Sequence, residues 1–179
     1  MDLQYNNLRI RNASVSDAAQ LCAWWNDGEV MAHAGFPLGL GITEESIITK
    51  LLQETDDTTR RHIIEDDGMP IGEMNYRQLD PDTCEMGIKI CVKDRQNKRL
   101  GRLILSLFID GLFRERKYKK ICLDTNLENK RAQHVYELLG FQKIAVHMNS
   151  WQDQLGQNQS AVVYELTEAT FHSYLTNAE

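Results

Sequence analysis

Asn126-Leu127-Glu128-Asn129-Lys130-Arg131-Ala132-Gln133-His134-Val135-Tyr136-Glu137-Leu138-Leu139-Gly140-Phe141 reads as a polar turn, a helix and an abrupt stop. Asn129 suits the N-cap, because its short side chain accepts from the first free N–H groups of a helix. Gly140, directly after Leu139, suits the left-handed residue that closes one. Tyr136 follows Asn129 by two helical turns, so the two side chains project on the same side. Lys120-Ile121-Cys122-Leu123 ahead of the helix reads as a short strand, and Phe141 to Met148 behind it as another.

Further upstream, Ile88-Lys89-Ile90-Cys91-Val92 is a strand. A basic polar loop follows, and a helix opens near Gly101 with Leu103, Ile104, Leu107, Phe108 and Leu112 at helical spacing. Such a helix start aims free N–H groups and the positive end of its dipole into the loop. Lys98, Arg99 and Arg102 add full charges there. Taken alone, the segment is either an anion cradle of the phosphate-binding kind or a solubilising loop.

The flanking chain supplies further elements. Leu8-Arg9-Ile10-Arg11 alternates like a strand, and Ser14 or Ser16 caps a helix through Ala18, Leu21 and Trp25 that ends at Asn26-Asp27-Gly28. Residues 29–42 read as a loop, and Thr43 opens a second helix with Ile47, Ile48, Leu51 and Leu52 on its apolar face. Strands are expected near 60–66, 70–77 and 84–92, parted by turns at Asp66-Asp67-Gly68 and Asp80-Pro81-Asp82. Ala161 to Leu166 reads as a late strand and Glu168 to Leu175 as a short last helix. The order β-α-α-β-β-β-α-β-α-β-β predicts one mixed α/β domain, of the α+β kind, over residues 1–179.

Composition narrows the function classes. The 179 residues, 42% of them hydrophobic, suffice for a sizeable core. An apolar run of about 18 residues is missing, as is a basic-then-apolar leader, so the expectation is a cytoplasmic protein without a membrane partner. Cys22, Cys84, Cys91 and Cys122 lie far apart and read as reduced core residues, and no Cys/His spacing suggests a metal. The net charge of −6 conceals a division. Residues 93–131 carry 12 basic and five acidic side chains, whereas the remainder is strongly acidic. A basic block invites an anionic partner, either a phosphate-bearing small molecule or nucleic acid. Only Phe108, Phe113 and Tyr118 fall in the block as aromatics, and two of them sit on an apolar helix face, so no nucleic-acid partner is expected.

Residues 126–141 closely resemble the N-x-x-x-x-x-x-Y-x-x-x-G-F signature of GCN5-related N-acetyltransferases, the GNAT superfamily. Gln96-Asn97-Lys98-Arg99-Leu100-Gly101 is similar to that family's acetyl-coenzyme A motif, with Arg99 where the family usually has the first glycine. Arginine there offers a bidentate phosphate contact in place of glycine's backbone freedom. Trp24-Trp25-Asn26-Asp27-Gly28-Glu29-Val30-Met31 and Phe36-Pro37 look like the subgroup of ribosomal-protein N-terminal acetyltransferases and some antibiotic or polyamine acetylating enzymes. The fold thus implied is a twisted, mostly antiparallel mixed sheet of about seven strands flanked by four to five helices.

The activity implied is direct transfer of an acetyl group from acetyl-coenzyme A, as co-substrate, to an amine acceptor, either a small molecule or a peptide N-terminus. The resemblance places the cofactor along Ile90, Cys91, Val92, Gln96, Asn97, Lys98, Arg99, Leu100, Gly101, Arg102, Asn129 and Arg131. Backbone N–H groups near Cys91 and Val92 are candidates to polarise the thioester carbonyl. Tyr136 is the candidate general acid, and Asp124 or Glu85 the base, with Glu73 a distant third. Trp25, Phe36 and Glu73 are candidate acceptor-site residues, although aromatics such as Trp25 and Phe36 more often belong to the core than to a substrate wall. A non-catalytic acyl-coenzyme A sensor on the same fold is the alternative. The late strands of this fold often pair between subunits, so a homodimer is a further expectation.

Overall fold

The computed structural model describes residues 1–96 and 100–176. Its strands are β1 (Asp2–Tyr5), β2 (Leu8–Asn12), β3 (Thr59–Asp66), β4 (Met69–Asp80), β5 (Thr83–Ile90), β6 (Lys120–Asn126), β7 (Gln142–Gln152) and β8 (Asn158–Thr167). They form one sheet in the order β1-β2-β3-β4-β5-β6-β8-β7. Every neighbouring pair is antiparallel except β5 and β6, which run parallel. The helices are α1 (Ala18–Asn26), α2 (Gly28–Met31), α3 (Glu44–Gln53), α4 (Leu100–Arg114) and α5 (Lys130–Leu138).

Strand alternation splits the core between the two faces of the sheet. On one face Ile10, Ile64, Met74, Cys84, Met86, Ile121, Leu123, Val162 and Tyr164 pack under α4 and α5. On the other, α1 and α3 bring Leu21, Trp25, Ile47 and Leu51 onto Ile63 and Cys91. Each fully buried aliphatic side chain contributes about 1.5–3 kcal/mol relative to exposure. α4 is buried almost all round, because the C-terminal segment crosses its outer side. Phe171, Tyr174 and Leu175 pack on this core, and the Tyr174 N–H donates to the buried Ser106 hydroxyl at 3.0 Å.

That crossing overturns the expected final helix, of which only a 3₁₀ turn at Glu168–Thr170 forms. Tertiary packing of Phe171 and Tyr174 takes the place of a helix over residues 171–176, which have no regular secondary structure. The sequence reading also missed β1. Asn6, with φ 52, tolerates the left-handed turn that folds Asp2–Tyr5 back on β2. The region expected as loop contains α2, started by Asp27, whose carboxylate accepts from the Glu29 and Val30 N–H groups. Gly140 fulfils its predicted cap: φ is 94, and a methyl on it would stand 1.8 Å from the Thr170 carbonyl oxygen.

Candidate functional site

β5 and β6 pair only over Thr83–Glu85 and Lys120–Cys122. Beyond Glu85 and Cys122 the two strands part, although β5 continues to Ile90 on β4 and β6 to Asn126 on β8. The split opens a notch of about 500 Å³. β5 contributes Glu85, Met86, Gly87, Ile88 and Lys89, and β6 contributes Asp124, Thr125 and Asn126. Asn129 and Tyr136 come from the α5 side, and Val30, His33 and Ala34 from the opposite face.

The structure therefore brings together the three side chains expected to handle protons. Tyr136 is buried, its ring edge-on to Phe141 at 5.7 Å and tilted to Tyr164 at 6.0 Å. Its hydroxyl has no hydrogen-bond partner among the described residues. Burial first, and the Asp124 charge second, push the phenol up to about 12, so it keeps its proton throughout the neutral range. Asp124 reaches solvent, but the protein walls around it and the neighbouring Glu85 raise its carboxyl above the ordinary aspartate value. Glu85 is half-buried and pairs with Arg77 at 2.6 Å.

Other expectations are corrected. The Cys91 and Val92 N–H groups both donate to the Ile71 carbonyl, at 2.8 and 3.1 Å, so neither is free to polarise an acyl oxygen. Because Cys91 points its N–H toward β4, alternation turns those of Ile88 and Ile90 toward the split. Glu73 lies outside the notch. It is 1% exposed and is held by Arg61, by Lys89 at 3.1 Å and by the Trp25 indole N–H at 3.3 Å. Burial would raise its carboxyl, but the Arg61 and Lys89 cations hold it below the usual range. Trp25 belongs to this same network, with the Arg61 guanidinium 4.5 Å above its ring, and does not line the notch. Phe36 lies beyond the left-handed turn at Gly35, exposed, and does not line the notch.

Around the expected cofactor loop, Asn97, Lys98 and Arg99 lie outside the described residues. The Gln96 amide donates to the Ile90 carbonyl at 2.8 Å and so ties the loop to the end of β5. Leu100 packs on the core, and among the described residues a methyl on Gly101 would meet Ile90 Cδ1 alone, at 3.8 Å. Arg102 stacks on the Tyr174 ring at 4.7 Å. Asn129 caps α5 by accepting from the Ala132 N–H at 3.2 Å, and Arg131 is exposed on the first turn. Part of the basic block is paired within the fold: Lys93 with Glu29, Arg95 with Asp66, Arg114 with Asp110, Arg116 with Asp57, Lys119 with Asp82 and Lys120 with Glu165.

Trp151, His33, Asn75 and Lys89 line the notch without having been foreseen. A signal existed for Trp151 alone, a large aromatic isolated in the polar run Asn149-Ser150-Trp151-Gln152-Asp153. Among the described residues no group of three or more His, Cys, Asp or Glu side chains is placed to hold a metal. Among them, too, no helix is long and apolar enough to cross a membrane.

Comparisons with known proteins agree with this architecture. The model of the acetyltransferase (GNAT) domain matches residues 7–142. A spermidine N-acetyltransferase from Vibrio cholerae, solved in complex with CoA and spermine, superposes with a TM-score of 0.81 at 21% identity, over 93% of this chain and 98% of that one. A GNAT-family acetyltransferase from Bacillus anthracis gives a TM-score of 0.77 at 18% identity, over 94% and 99% of the two chains. Among curated proteins there is no match.

Proposed function

The chain belongs to the GNAT acetyltransferase family, and from that premise we propose that it transfers an acetyl group from acetyl-coenzyme A to a primary amine, on a small molecule or a protein N-terminus. The observation that carries this reading is the parting of β5 from β6, with Tyr136, Asp124 and Glu85 gathered in the gap. The exposed edge of β5 fits the co-substrate: its free N–H groups at Ile88 and Ile90 match an extended amide chain laid beside the strand. When bound, acetyl-coenzyme A supplies an activated acyl group and a thiolate leaving group. The loop of residues 96–102 and the start of α5, with Lys130 and Arg131, would hold its phosphates.

In this assignment one of these two N–H groups serves the amide chain and the other is the donor available to the acyl oxygen as charge develops on it. Asp124, ionised and at the mouth, accepts a proton from the incoming ammonium directly or through water, and Glu85 adds attraction for the cation. Tyr136 holds its proton where the departing sulfur requires a donor. The acidic remainder of the chain favours a cationic acceptor. A polyamine belongs to that class, as does the N-terminus of a ribosomal protein, the acceptor of the subgroup resembled by Trp24–Met31.

We assign the protein to the cytoplasm and residues 1–179 to one catalytic domain. We also pair two copies through β7, whose outer edge is free and whose Ile144, Val146 and Met148 are exposed. Sedimentation of the wild type against Val146→Lys tests the pairing. Thiol release from acetyl-coenzyme A over a panel of amines, with calorimetric titration of the same ligand, tests the activity. Release with at least one amine is expected. Tight binding without release for any amine would make the protein an acyl-coenzyme A sensor instead.

A further inference from the structure

The turn between β7 and β8 is fastened to the opposite wall of the notch. Gln154 makes three bonds there: its N–H donates to the Gly35 carbonyl at 2.8 Å, its side-chain amide donates to the Gly39 carbonyl at 3.0 Å, and its side-chain oxygen accepts from the Leu38 N–H at 2.9 Å. Trp151, near the end of β7, packs the six-membered ring of its indole against Gly35. A methyl on that glycine would stand 2.3 Å from the indole Cζ3 and 2.8 Å from Cη2, and its φ is 90. Both the conformation and the close approach require glycine. The indole is thereby held as one wall of the cavity that also contains Glu85 and Asp124.

We propose that Trp151 is a specificity-determining residue whose indole face selects an acceptor carrying an aliphatic cation, an alkyl diamine being the class that fits. The proposal rests on the acetyl-transfer reading for its chemistry. One nitrogen of a diamine must lose its proton to react, while the second stays charged and needs a partner. Two carboxylates attract any cation, hydrated or not. An aromatic face favours an alkylammonium whose methylenes pack on the ring while the charge meets its negative quadrupole. The Lys89 ammonium in the same wall does not oppose this, because Glu73 pairs with it at 3.1 Å while Glu54, 3.9 Å from Arg61, offsets the second cation on Glu73. Gln154 is a positioning residue, acting through the loop that braces the indole.

The test compares wild type, Trp151→Phe, Trp151→Leu and Gln154→Ala with 1,4-diaminobutane and with glucosamine, by thiol release. Leucine keeps apolar bulk without a π face. Trp151→Leu should raise KM for the diamine about tenfold, the scale of a cation over an indole in a desolvated site, with KM for acetyl-coenzyme A and for glucosamine little changed. Trp151→Phe should restore most of the loss, and Gln154→Ala should shift diamine KM in the same direction as leucine. Equal effects on both amines, or none, would overturn the proposal. Absence of turnover by wild type with every amine would sink the acetyl-transfer reading. Titration of 1,4-diaminobutane into the coenzyme A-saturated protein would then decide the wall independently. Weaker binding by Trp151→Leu than by wild type supports it, and equal or no binding by both overturns it.

Discussion

Tyr136 and Asp124 reach one notch from opposite faces of the sheet, and the negative charge of Asp124 helps keep the Tyr136 phenol protonated. They share the notch because β5 and β6 part after Glu85 and Cys122. A continuous ladder would place a layer of backbone between the two side chains.

Replacement of the phenol tests its half of the pair. Tyr136→Phe keeps the ring contacts with Phe141 and Tyr164 and removes only the hydroxyl. Turnover should fall by about 10²–10³-fold, the range of a lost general acid, with the affinity for acetyl-coenzyme A unchanged. Steady-state kinetics and calorimetry on the same preparation separate the two. Unchanged kcat would strip Tyr136 of its role.

The pH profile tests the other half. Asp124 accepts a proton only when ionised, and its carboxyl is raised above the ordinary aspartate value. Activity should therefore decline as pH falls through that raised value, and Asp124→Asn should remove this acid limb while lowering the plateau. Tyr136, at about 12, should impose no alkaline limb below pH 11. The linkage has the opposite sign for stability. A carboxyl with its folded value raised above the unfolded one weakens folding wherever it is ionised, so Asp124→Asn should raise Tm at pH 7 while slowing catalysis. A variant that lost stability would contradict the assignment.

Much of this site could be read from the chain, because short-range physics sets it. Asn129 caps α5 and Gly140 ends it for local reasons, and the interval between Asn129 and Tyr136 fixes their common side. What escaped the reading depends on contacts distant in sequence. The Cys91 and Val92 N–H groups look free until β4 brings up the Ile71 carbonyl. Glu73 resembles an acceptor-site carboxylate until Arg61 and Lys89 close on it. The C-terminal segment has helical spacing, yet the apolar outer side of α4 draws Phe171 and Tyr174 into a non-helical path. Trp151 lines the notch beside a turn that Gln154 bonds to the distant loop near Gly35.

His62 predicts an acid-sensitive fold. It is fully buried on β3 beside Phe108, at 5.0 Å, and Tyr76, at 5.8 Å, and neither ring nitrogen has a hydrogen-bond partner among the described residues. Burial drives its value down to about 3. Between the ordinary histidine value near 6.5 and about 3, the unfolded chain binds a proton that the folded chain refuses. Stability should fall through that window by up to about 1.4 kcal/mol per pH unit from this residue, and the contribution is constant above it. Denaturant unfolding at pH 7, 5 and 4 should give a shallower decline for His62→Phe than for wild type. Parallel curves would mean that the imidazole is not kept neutral.

Glu73 supplies the last prediction, which separates a structural role, suggested by its burial and ion pairs, from an acceptor-binding one. Glu73→Gln leaves Arg61 with Glu54 at 3.9 Å and Lys89 with no carboxylate among the described residues, and removing one partner of a buried ionic group costs up to about 3–5 kcal/mol. Urea unfolding at pH 7 should show a loss of that order. The freed Lys89 charge also lines the notch, so the same variant should raise KM for a cationic acceptor more than KM for acetyl-coenzyme A. Adding Lys89→Met should reverse the KM effect, because the repelling ammonium is then gone, while leaving much of the stability loss at Arg61. A binding carboxylate would behave differently: acceptor affinity would drop in Glu73→Gln with stability nearly intact, and Lys89→Met would not restore it.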